Sequence, residues 1–283
     1  MVSQTITLNP VILTIAPNGA RKSKHDHPML PITPADLAHE AKVCQTEGAA
    51  MIHLHVRDED HNHTLDVGRY RDAIDAIRGA VGEAIVIQAT TEAVGMYNAQ
   101  QQMDMVIALQ PEAVSLSIRE LVPEGGEEHA RSFFAELMAL KIMPQLIISS
   151  VEELRRYELL VRDDIIPFDN PFLLFVLGRY TTGQQSHPRD LLPFIITLKP
   201  ECPWAVCAFG PLELAATSSA LALGGHVRVG FENNMLLKDG ESASQNSDLV
   251  RQIRGVSEAI GRPVATARDV RAMFLGTKTE TAI

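Results

Sequence analysis

Two histidines one residue apart, His53 and His55, stand in the run Met51-Ile52-His53-Leu54-His55-Val56-Arg57-Asp58. In a strand, alternate side chains share a face, so both imidazoles point one way while Ile52, Leu54 and Val56 point the other. Neutral imidazoles are good ligands for zinc and related divalent metals. A catalytic site typically adds a carboxylate and leaves one position open for water or substrate. Glu232, in Val227-Arg228-Val229-Gly230-Phe231-Glu232-Asn233-Asn234, is the candidate carboxylate, at the end of a different apolar run. Arg228, four residues before it, could pair with a carboxylate or enolate oxygen. The competing reading treats His53 and His55 as satisfied core histidines, and Glu232 and Arg228 as members of ordinary ion pairs. Most other histidines, His25, His27, His39, His61, His63, His129 and His187, fall in expected loops or helices and are expected to face solvent.

For such residues to meet, strand ends must converge. Short apolar or β-branched runs recur at Val11–Ala16, Ala50–Val56, Ala84–Ala89, Ala113–Ser117, Ile142–Ser149, Phe172–Leu177, Trp204–Ala208 and His226–Gly230. Most are followed by a longer stretch with helical spacing, the alternation of parallel βα units. There are eight runs, the number a closed (β/α)8 barrel requires, and in that fold the chemistry lies at the C-terminal ends of the strands. Thr33-Pro34-Ala35-Asp36 supplies a cap, a proline in the first turn and a capping-box acid for the first helix, and Gly48 stops it. Further helices are expected over Leu65–Ile77, Asn98–Leu109, Glu127–Leu140, Val151–Val161, Arg189–Leu198 and Leu212–Leu223. Two more, Ser247–Ile260 and Thr266–Leu275, would cap the ring. A doubly wound open sheet is the rival fold, but Pro17-Asn18-Gly19-Ala20 stands where its glycine-rich turn would be. Asp58–Thr64 and Glu124–Glu128 read as polar loops, and residues 1–283 read as a single barrel domain.

Composition narrows the partners. A net charge of −10 without a compensating basic cluster argues against nucleic acid. Three cysteines without CxxC spacing argue against a disulfide framework or a thiolate zinc site and suit a reducing, cytoplasmic setting. The first residues lack the basic region of a signal peptide, and no apolar run approaches the roughly 20 residues needed to cross a bilayer.

The segments VILTIAPNGA, LPITPADLAHEAKVCQTEGAAMIHLHVRDED, FVLG, WAVCAFG and GGHVRVGFENN resemble the beta-keto acid cleavage enzymes, the family of the 3-keto-5-aminohexanoate cleavage enzyme. The resemblance implies a zinc-dependent barrel, assembled as a dimer or tetramer, that uses acetyl-CoA to cleave a β-keto acid into acetoacetate and a new acyl-CoA. It implies that His53, His55 and Glu232 are the zinc ligands, that Arg228 assists catalysis, and that Thr90 replaces a family serine. Manganese, cobalt or nickel could serve at the same ligands.

Several positions depart from the family. Asn233 stands where an aspartate usually follows the glutamate ligand, and an amide cannot act as a base. Arg21 replaces the acid of a TGAE motif, Glu92 replaces a glycine, and Ser117-Ile118-Arg119-Glu120 replaces a small Asn/Gly-rich segment. Pro211 follows Gly210 where GIGR is usual, so an arginine is missing. Arg21 is expected to receive an anionic substrate group such as a second carboxylate, with Gly19, Thr91, Glu92 and Ser117 also lining the substrate site. Two other functions remain open: aldolase or hydrolase chemistry at the same metal, and a barrel that keeps its metal but only binds a metabolite.

Overall fold

The computed structural model describes residues 8–198 and 202–274. Leu275, expected to end the last helix, and residues 1–7, read above for a signal pattern, lie outside them.

In chain order, β1 (Leu13–Ile15), α1 (Pro34–Thr46) and β2 (Met51–Leu54) open the fold. A short antiparallel ribbon of β3 (Val56–Arg57) and β4 (His63–Thr64) follows, inside the segment expected to be plain loop. Next come α2 (Val67–Val81), β5 (Val86–Thr90), α3 (Ala99–Leu109), β6 (Ala113–Ser117), the one-turn α4 (Ile118–Leu121), α5 (Glu127–Leu140), β7 (Met143–Ile148), α6 (Val151–Arg162) and β8 (Phe172–Leu177). The last part holds α7 (Leu192–Thr197), β9 (Trp204–Ala208), α8 (Glu213–Ala222), β10 (His226–Val229), α9 (Asn246–Ala259) and α10 (Ala267–Phe274).

The barrel closes in the order β1-β10-β9-β8-β7-β6-β5-β2, all pairs parallel. These are the eight apolar runs of the sequence, and the fold is the expected (β/α)8 barrel. Strand parity sorts the side chains into two cores. Ile52, Leu54, Ile87 and Leu173 face outward and pack with the helices, while Met51, Val86, Met143 and Phe172 fill the lower interior. Higher in the interior the same faces turn polar, with Thr14, Gln88, Ser115 and Gln145 all buried. A polar layer of this kind must find partners within the barrel, and it floors the site.

Helix starts follow local chemistry. Thr33 accepts from the backbone N–H of Asp36, whose side chain answers in a full capping box, and Pro34 begins α1. The expected helix Arg189–Leu198 is instead a 3₁₀ turn, Pro188–Leu191, followed by α7, with Pro193 in the first turn of α7. Of the two terminal helices, α9 packs beside α1 and α8 and is the barrel's own eighth helix. Only α10 is additional: Val270 joins the lower core and Phe274 stacks on Phe172 at 4.7 Å, closing the bottom of the barrel. No described helix is long and apolar enough to cross a membrane.

Candidate active site

Strand β2 and the turn after it carry His53 and His55, both buried and on the inner face. Their Nε2 atoms lie 3.2 Å apart. The β10 strand enters its loop through Gly230, at φ +138, where an added Cβ would sit 2.3 Å from the Ala16 carbonyl oxygen. This close approach lets the chain turn back and present Glu232, whose Oε2 is 3.7 Å from His53 Nε2 and 3.6 Å from His55 Nε2. Among the described residues, these three form the one cluster of His, Cys, Asp or Glu atoms able to hold a metal ion.

The donors fit such an ion. Three contacts of 3.2, 3.6 and 3.7 Å define a triangle whose vertices all lie about 2.0 Å from its centre, the length of a zinc bond to imidazole nitrogen or carboxylate oxygen. Glu232 Oε2 is buried without a hydrogen-bond partner. Burial, then the nearby Arg228, holds His53 well below the ordinary imidazole value, so its ring is neutral. Burial pushes Glu232 up, but the adjacent Arg228 guanidinium leads the opposing effects and its carboxyl is held well below the usual carboxylate range.

Several contacts orient the cluster. His53 Nδ1 is 2.8 Å from Gln88 Oε1, and Gln88 Nε2 donates to Gln145 Oε1 at 3.1 Å. With Gln88 accepting, His53 carries its proton on Nδ1 and turns the Nε2 lone pair toward the cluster. The register pairs His53 with Gln88 directly. Asn18 donates to the His55 carbonyl at 3.1 Å. Lys22 Nζ donates to the carbonyls of Phe231 and Glu232, at 2.5 and 3.1 Å. Glu213, pushed up to about 8 by burial, accepts from Gly230 N and Asn234 Nδ2, both at 3.2 Å. Gly19, at φ +63, lies so close that an added Cβ would be 2.7 Å from Glu232 Cγ.

Arg228 is buried beside the cluster. Its Nη2 is 3.3 Å from Glu232 Oε1 and 3.4 Å from Cys207 Sγ, while Nε and Nη1 have no partner. Leaving buried charged donors unpaired costs several kcal/mol, which suits a group that awaits an anion. Thr90 and Ser117 line the same cavity, and Thr90 Oγ1 accepts from Glu92 N at 3.1 Å.

The remaining candidates are placed unequally. Gly19 and Arg21 line a second small cavity beside the first, and Arg21 is largely exposed. Glu92 lines both cavities. Thr91 lines neither: it is buried and donates to the Ser115 carbonyl at 3.0 Å. Asn233 also lines neither, and its side-chain oxygen and nitrogen are buried without partners.

Two residues absent from the sequence reading belong here. Arg179, just past β8, lines both cavities, donates to Glu92 Oε1 at 2.7 Å and lies 5.1 Å over the Phe209 ring. It brings an arginine to the mouth although Pro211 follows Gly210. Its signal was its position one residue past FVLG, at the end of a barrel strand. Gln88 had a comparable signal, two residues before Thr90 on the inner face. Two histidines expected at the surface are buried instead. His27 Nε2 lies 2.8 Å from the Ala243 carbonyl, its ring 4.2 Å from Phe231, and His63 Nε2 lies 2.8 Å from the Glu92 carbonyl. Both sit in segments that fold over the barrel mouth rather than into solvent. His25, His39, His61, His129 and His187 are exposed.

A family model described as beta-keto acid cleavage enzyme matches residues 10–275. The chain is 31% identical over 278 residues to a 3-keto-5-aminohexanoate cleavage enzyme of Acetoanaerobium sticklandii, covering 94% of this chain and 98% of that relative. It is 26% identical over 275 residues to a 3-oxoadipate:acetyl-CoA acetyltransferase of Cupriavidus necator, 94% of each chain. Among solved structures, the apo form of ObcA superposes with a TM-score of 0.73 at 18% identity, over 88% of this chain and 66% of ObcA, a likeness of fold. With the match running from the first strand to the last helix, the chain belongs to the beta-keto acid cleavage enzyme family.

Proposed function

We propose that the protein is a zinc-dependent enzyme that condenses a β-keto acid with acetyl-CoA and releases acetoacetate and a new acyl-CoA. The observation that carries this is the His53, His55 and Glu232 triangle with two unpaired nitrogens of Arg228 beside it, where His53, Glu232 and Arg228 line one cavity. A divalent metal at the triangle would supply Lewis acidity toward the keto and carboxylate oxygens and so lower the cost of an enolate. Arg228, held by Cys207 and Glu232, offers Nε and Nη1 to oxygen atoms that gain negative charge. The Thr90 hydroxyl, at the edge of the same cavity, is a second donor. In balance, R–CO–CH2–COO⁻ and CH3–CO–SCoA become CH3–CO–CH2–COO⁻ and R–CO–SCoA.

Asn233 does not serve as the base in this reading, because its amide cannot accept a proton. Arg21 and Arg179, at the outer side of the cavities, favour an acid with a negatively charged tail. A cytoplasmic homo-oligomer goes with this reading. The test is a panel of β-keto acids offered with acetyl-CoA to zinc-loaded protein, with mass-spectrometric detection of new acyl-CoA species. No new species from any acid, with metal retained, would instead support a barrel that only binds a metabolite, a reading favoured by the secluded Asn233 side chain.

A further inference from the structure

One carboxylate at the barrel mouth touches three charged or metal-binding groups. Glu92 Oε1 lies 2.7 Å from Arg179 Nη2 and 3.9 Å from Arg21 Nη2, while Oε2 lies 4.0 Å from His55 Nε2. Glu92 also stands between two cavities of about 60 Å³ each: the inner one reaches His53 and Arg228, the outer one Gly19, Arg21 and Lys22. Neither holds a keto acid and a thioester arm, since small-molecule sites run to roughly 300 Å³ or more.

Three residues line both cavities: Glu92, Arg179 and Glu232. Glu232 is tied to Arg228, and Arg179 rests on Phe209. Glu92 side-chain oxygens are held by Arg179 alone at hydrogen-bond distance, so Glu92 is the wall that can move. Moving it has a charge consequence. Arg179 is 17% exposed, and a poorly solvated guanidinium left without an anion is costly.

We propose that Glu92 is a specificity-determining residue that holds the place of a substrate carboxylate. In the free protein it pairs with Arg179 and keeps the cavities apart. A β-keto acid with a second, distal carboxylate takes over Arg179, Glu92 swings toward Arg21 and solvent, and the two cavities become one. One carboxylate replaces another on the same guanidinium, so the buried charge is conserved. An acid with an uncharged tail would strand Arg179, and one with an ammonium tail would add a like charge beside it. This inference rests on the proposed reading of the site as a β-keto acid site.

The test measures binding of 3-oxoadipate and of 3-oxohexanoate, its six-carbon analogue with an uncharged tail, by calorimetry on zinc-loaded protein without acetyl-CoA. Glu92→Gln removes the competing charge while keeping the shape. It should tighten 3-oxoadipate by about tenfold, the scale of one charge-assisted hydrogen bond, and move 3-oxohexanoate by about twofold or less. Arg179→Met should weaken 3-oxoadipate by about tenfold and abolish the preference. Unchanged or weaker 3-oxoadipate binding in Glu92→Gln overturns the assignment. So does a kcat loss of about 100-fold with binding unmoved, which would make Glu92 a proton-transfer group. If Glu92→Gln tightens 3-oxoadipate as expected but wild type never turns over with acetyl-CoA, the reaction falls and the Glu92 assignment stands. If turnover occurs and Glu92→Gln leaves the preference intact, the Glu92 assignment falls alone.

Discussion

Gly19→Ala isolates the positioning of Glu232. A Cβ at Gly19 would lie 2.7 Å from Glu232 Cγ and 3.2 Å from its Cβ. Ordinary contact begins near 3.4 Å, so Glu232 must withdraw by about 0.7 Å or more, beyond the ±0.2 Å tolerance of a metal-ligand bond. The left-handed φ of +63 adds a backbone cost of about 1 kcal/mol for any residue with a Cβ. Gly261→Ala is the matched control, because Gly261 has φ +74 but nothing within 4 Å of an added Cβ. Gly261→Ala should lose about 1 kcal/mol in urea unfolding of metal-free protein and Gly19→Ala at least as much, while only Gly19→Ala should lose zinc affinity, by about 10- to 100-fold. The assay is competition for zinc against a chromophoric chelator. Equal zinc affinity in wild type and Gly19→Ala would refute the claim that Gly19 sets the place of Glu232, or that Glu232 is a ligand.

Gln88→Leu removes the acceptor that orients His53, and zinc affinity should fall by about 10-fold or more in the same competition. Undiminished affinity would assign Gln88 to the floor alone. Arg21→Glu should weaken activity on the true substrate far more than zinc binding, and equal loss of both would sink the idea that Arg21 meets a substrate anion. Burial, then Arg262, lowers His226 to about 3, while the unfolded chain keeps about 6.5. The native state therefore excludes a proton that the unfolded state accepts. Stability from His226 is complete above pH 6.5 and is lost as pH falls toward 3, by about 2 kcal/mol at pH 5. Urea unfolding at pH 7.5 and pH 5 should show this slope, and His226→Asn should flatten part of it. An unchanged slope would mean that His226 takes up a proton in the native state.

The barrel was legible because a parallel strand covered on both faces leaves an unbroken apolar run, as in Phe172–Leu177, and the turns between such runs carry caps like Thr33 and Asp36. Alternation alone aimed His53 and His55 inward. What the sequence hid depends on relations between distant segments. Gln88 matters because the register of β2 and β5 sets it against His53. Arg179 matters because the turn after β8 bends inward onto Phe209 and Glu92. His27 and His63 looked like loop residues, and nothing local shows that their loops close over the mouth. Thr91 follows the inward Thr90, so strand alternation sends its side chain away from the cavity.

The central claim is tested most directly by following carbon from acetyl-CoA labelled with ¹³C in both acetyl positions, incubated with a turned-over β-keto acid and zinc-loaded protein. The account predicts both labels in carbons 3 and 4 of acetoacetate, an unlabelled new acyl-CoA, loss of both products on chelation and in His53→Ala, and recovery of the chelated wild type with zinc. Label released as acetate, or turnover that survives removal of the metal, would contradict it.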